Sequence, residues 1–281
     1  MSLDLDALMA QANNLTPLPT SAARLAVVVT DPDSSLSSIT EVISLDPALT
    51  IRILRAANSA LSASRFEVTE INDAVVRMGR GIILALAVGT GTHGYMRPPV
   101  PVYGLQENAL WRHSVSAAMV AEHMGPFCNN AVPPEAFAAA LLHDIGKIVI
   151  GRFLDAQTLS LLTQAQLDGQ RDPLEAEREI LGVNHAELGG LLAHKWGLPK
   201  SIVEGITHHH QPDEGRQLIC DVICVANQLA NQTGLANTTL PQRQEDHSAS
   251  YARLGIRHEN QQSICEAVQA RFAQVLERFG A

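Results

Sequence analysis

Aromatic residues make up only 4% of this 281-residue chain, and alanine and leucine dominate in their place, a composition that favours helices. Alternating Val/Ile/Thr runs bounded by hairpin turns are nearly absent, which argues against a sheet protein. The four cysteines, Cys128, Cys220, Cys224 and Cys265, form no CxxC pair. Such sparse use suits a reducing compartment, with thiols packed as small hydrophobes. Positive charge is also short: 20 Lys and Arg stand against 29 Asp and Glu, a net charge of -9, and no basic cluster occurs. Direct binding to nucleic acid or to an anionic membrane is therefore not expected. The longest apolar run, "GIILALAVG" at 81–89, is far short of the roughly 20 residues a membrane span needs. The N-terminus lacks the basic start and apolar core of a signal peptide, so a cytoplasmic location is expected. No internal repeat supports a solenoid.

What is present is helix punctuation. Asp46 and Pro47 can cap and open a helix in "SLDPALTIRILRAAN", and Pro134 precedes an acidic first turn in "VPPEAFAAALLHDIGKIVI", read as one helix. "NHAELGGLLAHKWGLP" has Asn184 as cap, Glu187 three residues on, and a Gly197/Pro199 stop; "SIVEGITHHHQP" repeats the device with Ser201 and Glu204. The expected fold is all-α, with 46% hydrophobic residues to build its core. "HGYMRPPVPVYG" at 93–104 reads as a linker between lobes. The polar stretch 231–250 is a second break, followed by a final amphipathic helix. The expected organisation is an N-terminal helical lobe over 1–100, a helical bundle over 101–230, and a polar connection with a C-terminal helix over 231–281.

Eleven histidines are many for this length. His113, His143, His185, His208, His209 and His210 fall in apolar or helix-end contexts, which invites a metal site. Imidazole suits zinc, iron, manganese or nickel, and a carboxylate such as Asp144 can bridge two ions. On a helix His143 and Asp144 point about 100° apart and can touch one centre, whereas His185 and His194, nine residues apart, face opposite ways. His185 is the inward candidate; at most two of the triplet His208, His209 and His210 face inward. Each residue also has a plainer reading. His113 can be a satisfied core histidine, Asp144 and Lys147 a local ion pair, and the triplet a helix end whose imidazoles meet orphan carbonyls.

The order of "WRHS", "LLHDIGK", "NHAELGGLLAHKWGLP" and "ITHHHQP" resembles the HD superfamily of metal-dependent phosphohydrolases. With "LTPLPTSAARLAVVVTDPDSSLSSITEVISLDPALTIRILRAANSA" at 15–60 and "INDAVVRMGRGIILALAVG" upstream, the chain more closely resembles the HDOD domain, the HD-related output domain of bacterial signalling, over about residues 12–230. The resemblance implies an N-terminal lobe packed on an HD-like bundle, in a regulatory module without a demonstrated common catalytic activity. It implies metal-ligand positions at His113, His143, Asp144, His185, His209 and His210, holding one or two divalent ions (iron, manganese, zinc or nickel). Lys147 matches the lysine after the HD pair. The last ligand of the superfamily is an Asp, and here that position is Asn227, a poorer ligand for a hard cation. Asp221 lies about 120° away on the helix, whereas Cys220 and Cys224 share the face of Asn227. The acidic residue and Gly-Tyr-Pro element of cyclic-di-GMP phosphodiesterases are missing from "QPDEGRQLICD".

Two functions follow as expectations. The first is a non-catalytic signalling module binding a partner protein, with self-association also open. The second is a metal-dependent phosphohydrolase acting on a nucleotide or phosphoester, with Asp144 and Lys147 as catalytic residues. Sensing of an anion or nucleotide without cleavage is a third. No receiver or DNA-binding segment is read, so the signal is expected by association, through the N-terminal lobe or the final helix.

Overall fold

A computed structural model of the chain describes residues 5–12, 15, 18–58, 67–167, 172–236 and 246–278. Among these residues the fold is all-α; the one β feature described is an isolated antiparallel bridge between Val100 and Leu105. Ser59 and Ala60 of the "ANSA" pattern and residues 237–245 of the second polar break lie outside the described residues.

The first six helices are α1 (Leu5–Ala12), α2 (Thr20–Thr30), α3 (Leu36–Ser44), α4 (Pro47–Ala57), α5 (Ile71–Met78) and α6 (Arg80–Met96). Asp46 caps α4 as its sequence suggests: one carboxylate oxygen accepts the Leu49 N–H at 3.0 Å, and Pro47 opens the helix. The other oxygen accepts the Ser21 hydroxyl at 2.6 Å, which ties α4 to α2. Helix α6 is the joint of the molecule, since it packs on α2 on one side and later on α8. The stretch read as a linker is corrected here: His93 to Met96 are the last turn of α6, because Met96 and Thr92 are wholly buried and continue its apolar face.

A one-turn 3-10 helix (Pro101–Tyr103) leads into α7 (Ala109–His123), followed by α8 (Ala136–Leu142) and α9 (Gly146–Phe153). The expectation of one helix through "LLHDIGK" is corrected. The chain turns at His143, Asp144 and Ile145 and restarts at Gly146, where a Cβ would overlap the carbonyl oxygen of His185. Then come α10 (Ala156–Leu167), α11 (Pro173–Leu181), α12 (His185–Lys195), α13 (Lys200–Thr207), α14 (Pro212–Gly215), α15 (Leu218–Gln232), α16 (Ser248–Leu254) and α17 (His258–Arg278). Asn184 and Glu187 form the expected capping box of α12. The matching device at Ser201 is not formed. Helix α13 starts directly after Pro199, so Ser201 sits within its first turn and donates instead to Glu135 at 2.9 Å. Helices α7, α8, α13 and α15 pack together, α12 packs on α9 and α13, and α17 covers α7.

No single helix among the described residues is long and apolar enough to cross a membrane. All four cysteines are free thiols; Cys220, Cys224 and Cys265 are buried and Cys128 is half-buried. Cys220 turns to the Glu204 carbonyl oxygen and Cys224 to His247, so neither is placed at Asn227's partners in the site described below.

Candidate metal centre

Three helices and one turn deliver the histidines to a single buried point. His113 comes from α7, His143 and Asp144 from the α8–α9 turn, His185 from the first position of α12, and His209 and His210 from the end of α13. Asp144 is at the centre, 1% exposed, and His143 and His209 are wholly buried. Its two oxygens face different histidines. Oδ2 lies 3.4 Å from His143 Nε2 and 3.6 Å from His113 Nε2; Oδ1 lies 3.3 Å from His185 Nε2 and 3.8 Å from His209 Nε2. His210 Nε2 is 3.2 Å from His185 Nε2. The result is two groups whose ligand atoms converge within 4.8 Å: His113, His143 and Asp144, and His185, His209 and His210. His194 is exposed and His208 lies on the flank beside Glu204, so neither joins the cluster.

The plainer readings of these residues are realised as well. Lys147 pairs with Asp144 Oδ2 at 2.7 Å. The Nδ1 atoms of His143 and His209 lie 2.7 Å from the Ala140 and Ile206 carbonyl oxygens, in the last turns of α8 and α13. Those carbonyls accept, so each Nδ1 carries the proton and each Nε2 presents a lone pair inward. His209 Nε2 and Asp144 Oδ1 have no hydrogen-bond partner although both are out of solvent. Orphaned buried acceptors cost about 1–3 kcal/mol each. A cation between them offsets that cost, and imidazole with carboxylate is a donor set suited to first-row divalent metals. The residues present therefore fit one or two such ions.

Electrostatics separate the two sides. Burial works against the Asp144 carboxylate, but His143 and the Lys147 ammonium beside it, with its hydrogen bonds, hold its pKa well below the ordinary value. Burial and the neighbouring His143 push His113 down to about 3, and burial with His210 and His143 nearby pushes His209 well below its ordinary value. His185 goes the other way. Burial opposes its charged form, yet the Glu177 carboxylate beside it raises the pKa to about 9. Asn227, from α15, reaches the centre through its Oδ1, 3.0 Å from His113 Nε2. Asp221, on the same helix, is held away by Arg253 at 2.6 Å and by Ser250 at 2.7 Å.

Two members of the site were missed by sequence reasoning. Glu177 on α11 is fully buried behind His185, accepting its Nδ1–H at 2.9 Å and its backbone N–H at 2.6 Å, and Tyr103 donates to the same carboxylate at 2.8 Å. The available signal was a carboxylate on the stripe of α11 that carries Leu174 and Leu181, three and four residues away. Nothing local marks Tyr103.

A family model described as the HDOD domain matches residues 15–212. A protein of Treponema pallidum (strain Nichols), described as uncharacterized, is 27% identical over 216 residues, 75% of this chain and 41% of its own length. The chain thus spans about two fifths of that relative. Among solved structures, a protein of Shewanella amazonensis SB2B provisionally described as a phosphohydrolase is 28% identical with a TM-score of 0.67, covering 98% of this chain and 97% of its own. One of Marinobacter aquaeolei VT8, provisionally described as a signal transduction protein, is 22% identical with a TM-score of 0.69, covering 100% of this chain and 61% of its own; it shares the fold.

Proposed function

This chain belongs to the HDOD domain family, and on that premise we propose that it is a non-catalytic signal-transduction module acting through protein–protein contact. In this reading its buried cluster of histidines and Asp144 holds divalent metal as a fixed part of the fold. The observation that carries it is the closure of the centre. His143, Asp144, His185 and His209 are 0–3% exposed, with only His210 and Asn227 of the cluster half-buried at its rim, whereas a hydrolase must bring a phosphoester and water to its ions. Two surface cavities are built elsewhere: one of about 360 Å³ lined by Met78, Ile82, Pro134 and Phe137, and one of about 450 Å³ lined by Gln228, His247, Tyr251 and His258. Asn227 supports the same reading, because a neutral amide leaves the His113 side one negative charge short. A partner on the N-terminal lobe would meet Val27, Leu45, Ile51 and Val76, which are 55–71% exposed.

A second reading, a metal-dependent phosphohydrolase, is favoured by Lys147. Its side chain is 20% exposed beside Asp144, the place from which an ammonium can meet phosphate charge. Bound ions in such a site supply a Lewis acid and a water of lowered pKa. The test is incubation of the protein with Mn²⁺, Fe²⁺, Ni²⁺ or Zn²⁺ and a panel of nucleotides, phosphomonoesters and phosphodiesters. The module reading expects no turnover; phosphate release abolished by Asp144→Ala, with helix content intact, replaces it with the hydrolase.

A further inference from the structure

The geometry points to Glu177 and Tyr103 as positioning residues that hold His185 Nε2 toward Asp144, making the His185–His209–His210 side the tighter of two unequal cation sites. This inference rests on the proposed metal-holding role. Glu177 is wholly buried, and three donors converge on its carboxylate: the His185 backbone N–H, the His185 Nδ1–H and the Tyr103 hydroxyl. With Nδ1 and the backbone N–H of one residue both fixed to one carboxylate, the ring cannot flip, and Nε2 is left facing Asp144 Oδ1 and His210 Nε2. An anion behind the ring also makes Nε2 a stronger donor, as outer carboxylates do for metal-bound histidines. His143 and His209 are backed by the neutral Ala140 and Ile206 carbonyls instead.

The opposite side is weakened by two separate features. The Lys147 ammonium already occupies Asp144 Oδ2 at 2.7 Å, and any cation brought there meets its charge. Asn227 Oδ1, 3.0 Å from His113 Nε2, is an acceptor that engages His113 as a donor and so competes with ligation. Glutamine at 177 keeps the size of the side chain but sets an N–H₂ among three donors. It therefore breaks the lock on Nδ1 and removes the anion behind the ring that strengthens Nε2 as a ligand.

The experiment is a Zn²⁺ titration against a chromophoric chelator, resolving the two binding steps in wild type, Glu177→Gln, Tyr103→Phe and Asn227→Asp. It is paired with the proton spectrum of the His185 Nδ1–H in metal-free protein. The expected results are a first step at least about tenfold tighter than the second, and a first step weakened about 10- to 100-fold by Glu177→Gln with the second changed little. Tyr103→Phe, one hydrogen bond further out, weakens the first step by less than the roughly 10-fold lower bound for Glu177→Gln, and Asn227→Asp tightens the second alone. The downfield Nδ1–H resonance is present in wild type and lost in Glu177→Gln. Should Glu177→Gln fail to fold, Tyr103→Phe carries the test. Wild-type binding with both steps unmoved by Glu177→Gln, or by Tyr103→Phe where that variant stands in, overturns this inference and leaves the metal-holding role intact. No binding by wild type overturns both.

Discussion

Replacing Gly146 with alanine adds one methyl group at the point where α9 meets α12. That Cβ would overlap the His185 carbonyl oxygen and lie 2.8 Å from the backbone nitrogen of Gly189, inside the 3.0 Å that real Cβ atoms essentially never show. Both obstacles are backbone of one helix, so no side chain can swing away and α9 must retreat by about 1 Å or more. Overpacking of this kind costs about 1–3 kcal/mol. Rigid partners place Gly146→Ala at the upper end, about 3 kcal/mol, against a helix-propensity gain of at most about 1 kcal/mol. For a chain of this size a 3 kcal/mol loss lowers Tm by about 6–12 °C. Because Asp144 precedes Gly146 and His185 carries the obstructing carbonyl, the same retreat widens the Asp144–His185 distance and weakens metal binding. Gly94→Ala, inside α6, is the control: nothing lies within 4 Å of its Cβ, so it should be neutral or stabilise by up to about 1 kcal/mol. The assay is urea denaturation and thermal melting of the two variants beside wild type. A Gly146→Ala protein as stable as wild type refutes the close-approach argument.

Asp46→Ala removes the cap of α4 and the acceptor for Ser21, and should cost about 1–2 kcal/mol in urea melts with metal content unchanged. Arg253→Ala leaves the buried Asp221 carboxylate with Ser250 alone and should cost about 2 kcal/mol, read as a lower urea midpoint. Metal-free protein should lose stability in acid. His113, at about 3 when folded and 6.5 unfolded, contributes fully above pH 6.5 and progressively loses that contribution as pH falls below it, a loss on the order of a few kcal/mol. His185, raised to about 9, has the opposite sign: its contribution is whole below pH 6.5 and is lost as pH rises from 6.5 to 9. Melts of wild type and His113→Gln should therefore converge as pH drops from 7 to 4.5, and a constant gap between them contradicts the assignment.

The helical fold was legible because caps are local: Asp46 with Pro47 and Asn184 with Glu187 mark their helices within four residues. The histidines were legible because their residue types and order are unusual in an apolar chain. The break at Asp144 was not, since the apolar pattern of "FAAALLHDIGKIVI" runs on unbroken while the reason for the turn, the backbone of α12, lies about 40 residues away. Ser201 misled for the converse reason: its pairing with Glu204 imitates a capping box, but Pro199 starts the helix two residues earlier. Glu177 and Tyr103 were invisible because their role exists only once α11 and the 3-10 turn meet behind His185.

The central claim is that the buried cluster grips metal through Asp144. Elemental analysis of protein purified without a metal-affinity column tests it most directly. The account predicts at least one divalent ion per chain, falling to near zero in an Asp144→Asn variant that keeps its helix content. A wild-type stoichiometry near zero, after dialysis against micromolar Mn²⁺, Fe²⁺ or Zn²⁺, contradicts it.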